Sequence, residues 1–295
     1  ALAIQLQKNT RLRAISKLFL NSSWGKCGQR RELGSREFIK DQFKLYFNHD
    51  DSLIRKGEYG KRGLVINDQQ KSNVDDNSLS KHIQAILEHP LVDIYSIKKA
   101  GFKVVVDAIN SSGAFTVPAL LKAIGVEDIV VLNAEMTGDF AHNPEPLKEH
   151  LTELCATVVK EKAHLGIAVD PDVDRLCFVS EDGNLFGEEY TLVAVADYIL
   201  QYTKGATVSN LSSTRALRDV TEQHGCTYFA SAVGEVNVVT KMKAEKAVIG
   251  GEGNGGIIVP DLHYGRDALI GIALFLSHLA KSEMTCSNLR ASYPS

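Results

Sequence analysis

The chain has 295 residues, 44% of them hydrophobic and 23% charged, with a net charge of −3. That is the composition of a soluble globular protein long enough for two domains, and no apolar run approaches the ~20 residues that span a bilayer, so no membrane association is expected. Five cysteines (Cys27, Cys155, Cys177, Cys226, Cys286) are odd in number and lack CxxC spacing. A reducing, cytoplasmic setting fits them better than a disulfide framework or a zinc site and is expected. The opening ALAIQLQKNTRLR does not read as a signal peptide, because its apolar stretch is short and precedes the charges. Residues 1–78 carry 15 basic against 9 acidic side chains. The basic residues are thinly spread and not interleaved with aromatics, so they read as a solvated surface and no nucleic-acid partner is expected.

Residues 1–78 alternate short apolar runs (SKLFL, QFKLYF) with polar, turn-rich stretches and assemble into no convincing domain. They read as the remnant of a first domain, or as a segment foreign to the fold that follows. From Leu79 the pattern changes. SLSKHIQAILEHPLVDIYSIKKAG predicts helix, turn and helix, with Ser80 as N-cap and Pro90 as the break. FKVVVDAI predicts a buried strand, NSSGAFTVPALLKAIG a loop and a helix ending at Gly125, and DIVVLN a second strand. NPEPLKEHLTELCATVVKEKA predicts a helix entered through prolines, leading into the strand LGIAV. The same rhythm then repeats. YTLVAVADYILQYT reads as an amphipathic helix and ATVSNLS as a strand. STRALRDVTEQHG is a helix capped by Ser213 or Thr214, TYFASAV a strand and NVVTKMKAEKA a helix. AVIGGEGNGGIIVP reads as strand, glycine loop and strand, and DALIGIALFLSHLAKS as a long apolar helix. This alternation predicts two consecutive layered α/β domains, 79–187 and 188–295, with mixed, mostly parallel sheets and a linker near GNLFGEE. The chain stops at SYPS just after a helix, so continuation in a longer parent is expected.

Chemistry concentrates in LGIAVDPDVDRLCFV. Asp170, Asp172 and Asp174 alternate at a strand end and start on one face, where a modest curl converges them. Three carboxylates that close repel unless a cation sits among them, and an all-oxygen site suits Mg²⁺ or Ca²⁺. A calcium loop needs glycine at the sixth place, where Arg175 stands, and needs flanking helices rather than strands. A haloacid-dehalogenase-like phosphatase with Asp170 as nucleophile fits locally, but its motif opens a domain and no later Asp-Asp pair follows. A plain acidic turn remains a third reading. The stretch Gly250-Gly251-Glu252-Gly253-Asn254-Gly255-Gly256 fits neither a dinucleotide fingerprint nor a phosphate-cradling loop. By itself it is equally a hairpin turn and a site for sugar hydroxyls.

DPDVDR followed about 80 residues later by GEGNGG resembles the metal and sugar loops of the α-D-phosphohexomutase superfamily. The resemblance covers roughly residues 79–295, the second and third of four family domains. FKVVVDAINSSGA, PALLKAIG, SSTRALRDV, SAVGEVNVV and YGRDALIGIALFL agree with it. It implies that Asp170, Asp172 and Asp174 bind Mg²⁺ and that Arg175 lies beside the phosphate of a phosphoserine. Glu252, Asn254 and Gly255 would contact the sugar of a phosphosugar substrate, with phosphate moving between O1 and O6 through a bisphosphorylated sugar. KHIQAIL, FAHNPEP and the DPDVDR variant point to the bacterial phosphoglucosamine/phosphomannomutase branch.

The departures are specific. Pro171 and Val173 replace the two glycines of the metal loop, which implies a backbone less strained than the family's. Asn254 stands where serine is usual, Glu235 where a basic or His group is frequent, and an Ala follows Asp267 in place of Gly. Arg215 is a possible phosphate contact or a purely structural residue. The phosphoserine loop, Thr-Ala-Ser-His-Asn-Pro, has no counterpart in residues 1–78, where Ser22, Ser23 and Ser35 lack its neighbours. Ala141-His142-Asn143-Pro144 echoes it without the serine and reads as a helix entry. The chain alone is therefore expected to be inactive as a mutase. A non-catalytic metal- and sugar-phosphate-binding protein is the competing class.

Overall fold

The computed structural model describes residues 79–145 and 147–294, so the readings for residues 1–78 lie outside it. A helix over 79–87 (α1) and a second, Ile94–Ala100 (α2), flank the turn at Pro90. Ser80 lies inside α1 rather than at its cap. The cap that does form is Asp93, whose Oδ1 accepts the Ser96 amide at 2.9 Å and opens α2.

The first sheet contains β1 (Lys103–Asp107), β2 (Asp128–Leu132), β3 (Leu165–Val169) and β4 (Leu176–Ser180) in the order β2-β1-β3-β4. Helix α3 (Gly113–Ala123) connects β1 to β2, and α4 (Thr152–Lys160) precedes β3. The first three strands are parallel, and β4 returns antiparallel beside β3. Alternation sorts their side chains into two layers: Val104, Val106, Ile167 and Phe178 face one apolar cluster, Val105, Ala168 and Val179 the other. A sheet buried on both faces explains the near-continuous apolar runs.

The second sheet repeats this plan. It contains β5 (Thr207–Asn210), β6 (Tyr228–Ser231), β7 (Ile249–Glu252) and β8 (Gly256–Ile258) in the order β6-β5-β7-β8. Again three strands are parallel and the fourth closes a hairpin. Helix α5 (Glu188–Tyr202) leads in; α6 (Ala216–Gln223) and α7 (Glu235–Glu245) are the crossovers. Helices α8 (Ala268–Ser282) and α9 (Cys286–Ala291) follow. Between the sheets lie α5 and α8. Helix α5 touches β4 on one side and β7 on the other, and α8 touches both hairpins. Phe275 of α8 stacks on Phe178 of β4 with ring centroids 3.8 Å apart.

Three expectations need correction. The helix predicted over 143–163 begins only at Thr152. Before it, His142 Nε2 is 2.9 Å from Asp107 Oδ2 and His150 Nδ1 is 2.8 Å from the Glu145 carbonyl, contacts that hold these residues as turns. Ala141-His142-Asn143-Pro144 is therefore no helix entry. Helix α5 is not amphipathic: Thr191–Ala196 and Tyr198–Leu200 are all buried, because sheets or helices cover every side. Helix α6 has Arg215 at its N-cap position in place of Ser213 or Thr214, and the Arg215 side chain makes no cap bond. Thr214 Oγ1 does accept the Ala216 amide at 3.3 Å, while Ser213 turns to Asn210.

Candidate functional site

Both motifs lie at the carboxyl ends of central strands, where open α/β sheets gather ligands. The aspartate loop is the β3–β4 turn, and the glycine loop is the β7–β8 turn. They meet directly: the Leu176 amide donates to the Gly255 carbonyl at 3.2 Å. Gly255 has φ +84°, and a Cβ there would stand 2.2 Å from the Leu176 carbonyl oxygen. Only glycine fits this approach.

Asp170, Asp172 and Asp174 are all buried, with carboxylate oxygens within 4.8 Å of one another. Asp170 Oδ1 accepts the amides of Asp174 at 2.9 Å and Arg175 at 3.0 Å, curling the loop as the alternation predicts. Ser111 and Ser112, at the start of α3, both donate to the Pro171 carbonyl, at 2.9 and 2.7 Å. The Ala268 amide donates to the Val173 carbonyl. Burial, and then the charges of Asp174 and Asp172, push the Asp170 pKa well above the ordinary carboxylate range. Three crowded carboxylates around a buried Asp170 fit a hard divalent cation, whose charge would reverse its shift.

Val173 contradicts the reading of a relaxed loop. Its φ is +58°, left-handed backbone that a β-branched residue rarely adopts. The valine thus sits in strained, left-handed backbone instead of a relaxed turn.

Arg175 is partly exposed, with Nη1 3.4 Å from Glu145 Oε1 and Nε 3.9 Å from Asp170 Oδ2. Glu252 is buried and well supplied with donors. Its Oε1 accepts from Asn210 Nδ2 at 3.0 Å and the Gly234 amide at 3.2 Å, and its Oε2 accepts from Arg266 at 3.1 Å. Asn254 Oδ1 accepts the Gly256 amide at 3.2 Å. Arg215 caps nothing through its side chain and begins α6.

Sequence reasoning missed Arg266. Its guanidinium is 12% exposed and faces three carboxylates: Asp174 at 2.5 Å, Glu252 at 3.1 Å and Glu235 at 3.4 Å. Burial acts to lower its pKa, but those charges raise it. Glu235 is raised by burial, against the pull of Arg266. Glu235 is thus the arginine's third partner. Asp107 was missed as well. At the end of β1 it accepts from Ile109 N and Asn133 Nδ2 and meets His142. The GRD stretch and the aspartate closing VVVD were the only sequence signals.

His82, His263 and Asp267 form a second cluster tight enough for a metal. The hydrogen bonds argue otherwise. Gly265 N donates to His263 Nδ1, which leaves the proton on Nε2, 3.0 Å from Asp267 Oδ2. His82 Nε2 approaches the same oxygen at 2.8 Å. A metal-bound imidazole donates from its other nitrogen, and here that nitrogen accepts. Despite burial, His82 and His263 hold Asp267 well below the usual carboxylate range, and its Oδ1 caps α8 through Leu269 N.

The family model described as phosphoglucomutase/phosphomannomutase, alpha/beta/alpha domain II matches residues 80–183, and that for domain III matches 187–295. The chain therefore belongs to the α-D-phosphohexomutase superfamily and carries its second and third domains. It is 34% identical over 256 residues to a phosphoglucomutase/phosphomannomutase of Thermococcus kodakarensis, covering 86% of this chain and 53% of the relative. It is 31% identical over 219 residues to a phosphoglucosamine/phosphogalactosamine mutase of Sulfurisphaera tokodaii, covering 73% and 48%. The crystal structure of a phosphoglucomutase/phosphomannomutase family protein from Burkholderia thailandensis superposes with a TM-score of 0.66 at 24% identity, covering 78% of this chain and 53% of that one. The chain thus spans about half the length of the curated relatives it matches. No helix among the described residues is long and apolar enough to cross a membrane.

Proposed function

We propose that this chain is the metal- and sugar-binding part of a Mg²⁺-dependent phosphosugar mutase, which moves phosphate between O1 and O6 of a hexose or hexosamine phosphate. Two domains, 79–187 and 188–295, each supply one pole of the site. The observation that carries the reading is the junction of the two loops: Leu176 bonds to Gly255, and Arg266 reaches both Asp174 and Glu252. In this reading Asp170, Asp172 and Asp174 hold the ion, which when bound neutralises charge on the serine oxygen that leaves the phosphoryl group. Arg175 gives the phosphate charge-assisted hydrogen bonds from beside Asp170. Glu252, Asn254 and Gly255 face the sugar hydroxyls; Glu252 Oε1 already accepts two donors, while Oε2 accepts only Arg266 among the described residues and keeps a lone pair for a hydroxyl.

No serine of the family's phosphoserine type occurs in the sequence, so the purified chain binds without turnover. Its test is a titration with Mn²⁺ and with glucosamine, glucose and mannose 6-phosphates, followed by ³¹P NMR in Mg²⁺. Saturable binding of Mn²⁺ and of at least one sugar phosphate, with no 1-phosphate formed, is the expected result. Interconversion of 6- and 1-phosphates would refute the inactivity, and failure to bind either probe would refute the site.

A further inference from the structure

The segment Arg266-Asp267-Ala268 touches both loops at four points. Ala268 N donates to the Val173 carbonyl and Arg266 Nη2 to Asp174 on the aspartate side. Asp267 N donates to the Ile257 carbonyl and Arg266 Nη1 to Glu252 on the glycine side. Behind it, Asp267 is fixed by His82, His263 and the first turn of α8. The arginine therefore stands on a rigid base, and only its planar head is shared.

We infer that Arg266 is a positioning residue whose fork sets how strongly the aspartate loop binds its metal according to what holds Glu252. This rests on the reading of Asp170, Asp172 and Asp174 as the metal site. The physical reason is competition for one carboxylate. Asp174 is a partner both of the guanidinium and of a cation bound in the loop. Glu252 and Glu235 draw the guanidinium away from Asp174. When a sugar engages Glu252 that pull weakens, and the arginine's share in Asp174 grows. Lysine carries the same charge but is a point donor, not a planar fork that grips two carboxylates together. A lysine here keeps the local field while losing the link between the loops.

The experiment is a cycle of Mn²⁺ affinities, measured by calorimetry on the full chain, for wild type, Glu252→Gln, Arg266→Lys and the double variant. The link predicts that Glu252→Gln weakens Mn²⁺ binding at least about fivefold in the wild-type background and less than about twofold in the Arg266→Lys background, a coupling within the range for contacting residues. A purely electrostatic effect of Glu252 is the same in both backgrounds, because the charge at position 266 is unchanged. Equal effects therefore overturn the inference. If Glu252→Gln does not fold, Glu235→Gln, at a more exposed partner of the same guanidinium, replaces it with the same expected pattern. Absence of Mn²⁺ binding in the wild type would overturn the metal-loop reading, and this inference with it; binding with additive effects overturns the inference alone.

Discussion

The two hairpin loops occupy the same place in sheets of the same strand order, yet they are built from opposite materials. The β3–β4 turn collects carboxylates and needs pins from outside: Ser111 and Ser112 on the Pro171 carbonyl, Ala268 on that of Val173. The β7–β8 turn collects glycines and needs proximity, with Gly255 packed against the Leu176 carbonyl. The strand preceding each loop has a neighbour ending in a polar residue, Asp107 in the first sheet and Asn210 in the second. Asp107 gathers a backbone amide, Asn133 and His142, while Asn210 gathers Ser212, Ser213 and Glu252. In the proposed reading one scaffold presents a cation pole and a hydroxyl pole, and the difference lies in the chemistry of the two loops.

The comparison is broken most severely at the glycine side. Gly255→Val drives a branched side chain into the Leu176 carbonyl at a positive φ, and should destabilise by about 3 kcal/mol or more in urea unfolding. A loss below about 1 kcal/mol would mean that the loops do not need this contact. On the charged side, Asp170→Asn should weaken Mn²⁺ binding at least about tenfold, since a direct ligand matters no less than its supporting partners. In chelator the same variant should unfold at higher denaturant than wild type, because it removes a carboxylate repelled by Asp172 and Asp174.

Away from the loops, Asp197 offers a pH test. Burial opposes its ionisation, yet hydrogen bonds from His278 and His224 bring its pKa down to about 2. A depressed acid stabilises the fold above its unfolded value near 3.8, and that contribution is lost as pH falls towards 2. The lost part is about 2 kcal/mol, and Asp197→Asn should flatten the acid limb of the stability curve by that amount. Asp267, also depressed, should leave a residual slope in that variant. The smallest effect is expected at Val173→Gly. Relief of left-handed strain, about 1–2 kcal/mol, is offset by lost side-chain burial and a freer unfolded chain, leaving a net change under about 1 kcal/mol. A net loss above about 2 kcal/mol would show that the loop is held by Val173 rather than strained by it.

Much of this fold is legible in the chain. FKVVVDAI, DIVVLN and LGIAV announce strands through β-branched runs, and the two loop motifs announce ligand chemistry by composition. What escapes is non-local. Arg266 meets Asp174 across 92 positions, and nothing in its own neighbourhood marks it as the bridge. The late start of α4 depends on His142 reaching Asp107 on a distant strand, against the local helical pattern. The burial of α5 depends on a second sheet arriving on its far side. Val173 misleads because a missing glycine suggests a missing left-handed turn, whereas the surrounding hydrogen bonds impose that turn on whatever residue stands there.

Helices α5 and α8 have one further consequence. A single apolar cluster runs from Ile83 through Phe178 and Phe275 to Tyr293, with both helices inside it. Each sheet has a smaller apolar layer of its own on its outer face, but its inner face loses its cover if the other sheet leaves. Heating should therefore melt the described fold in one calorimetric transition, although its plan is that of a unit repeated twice.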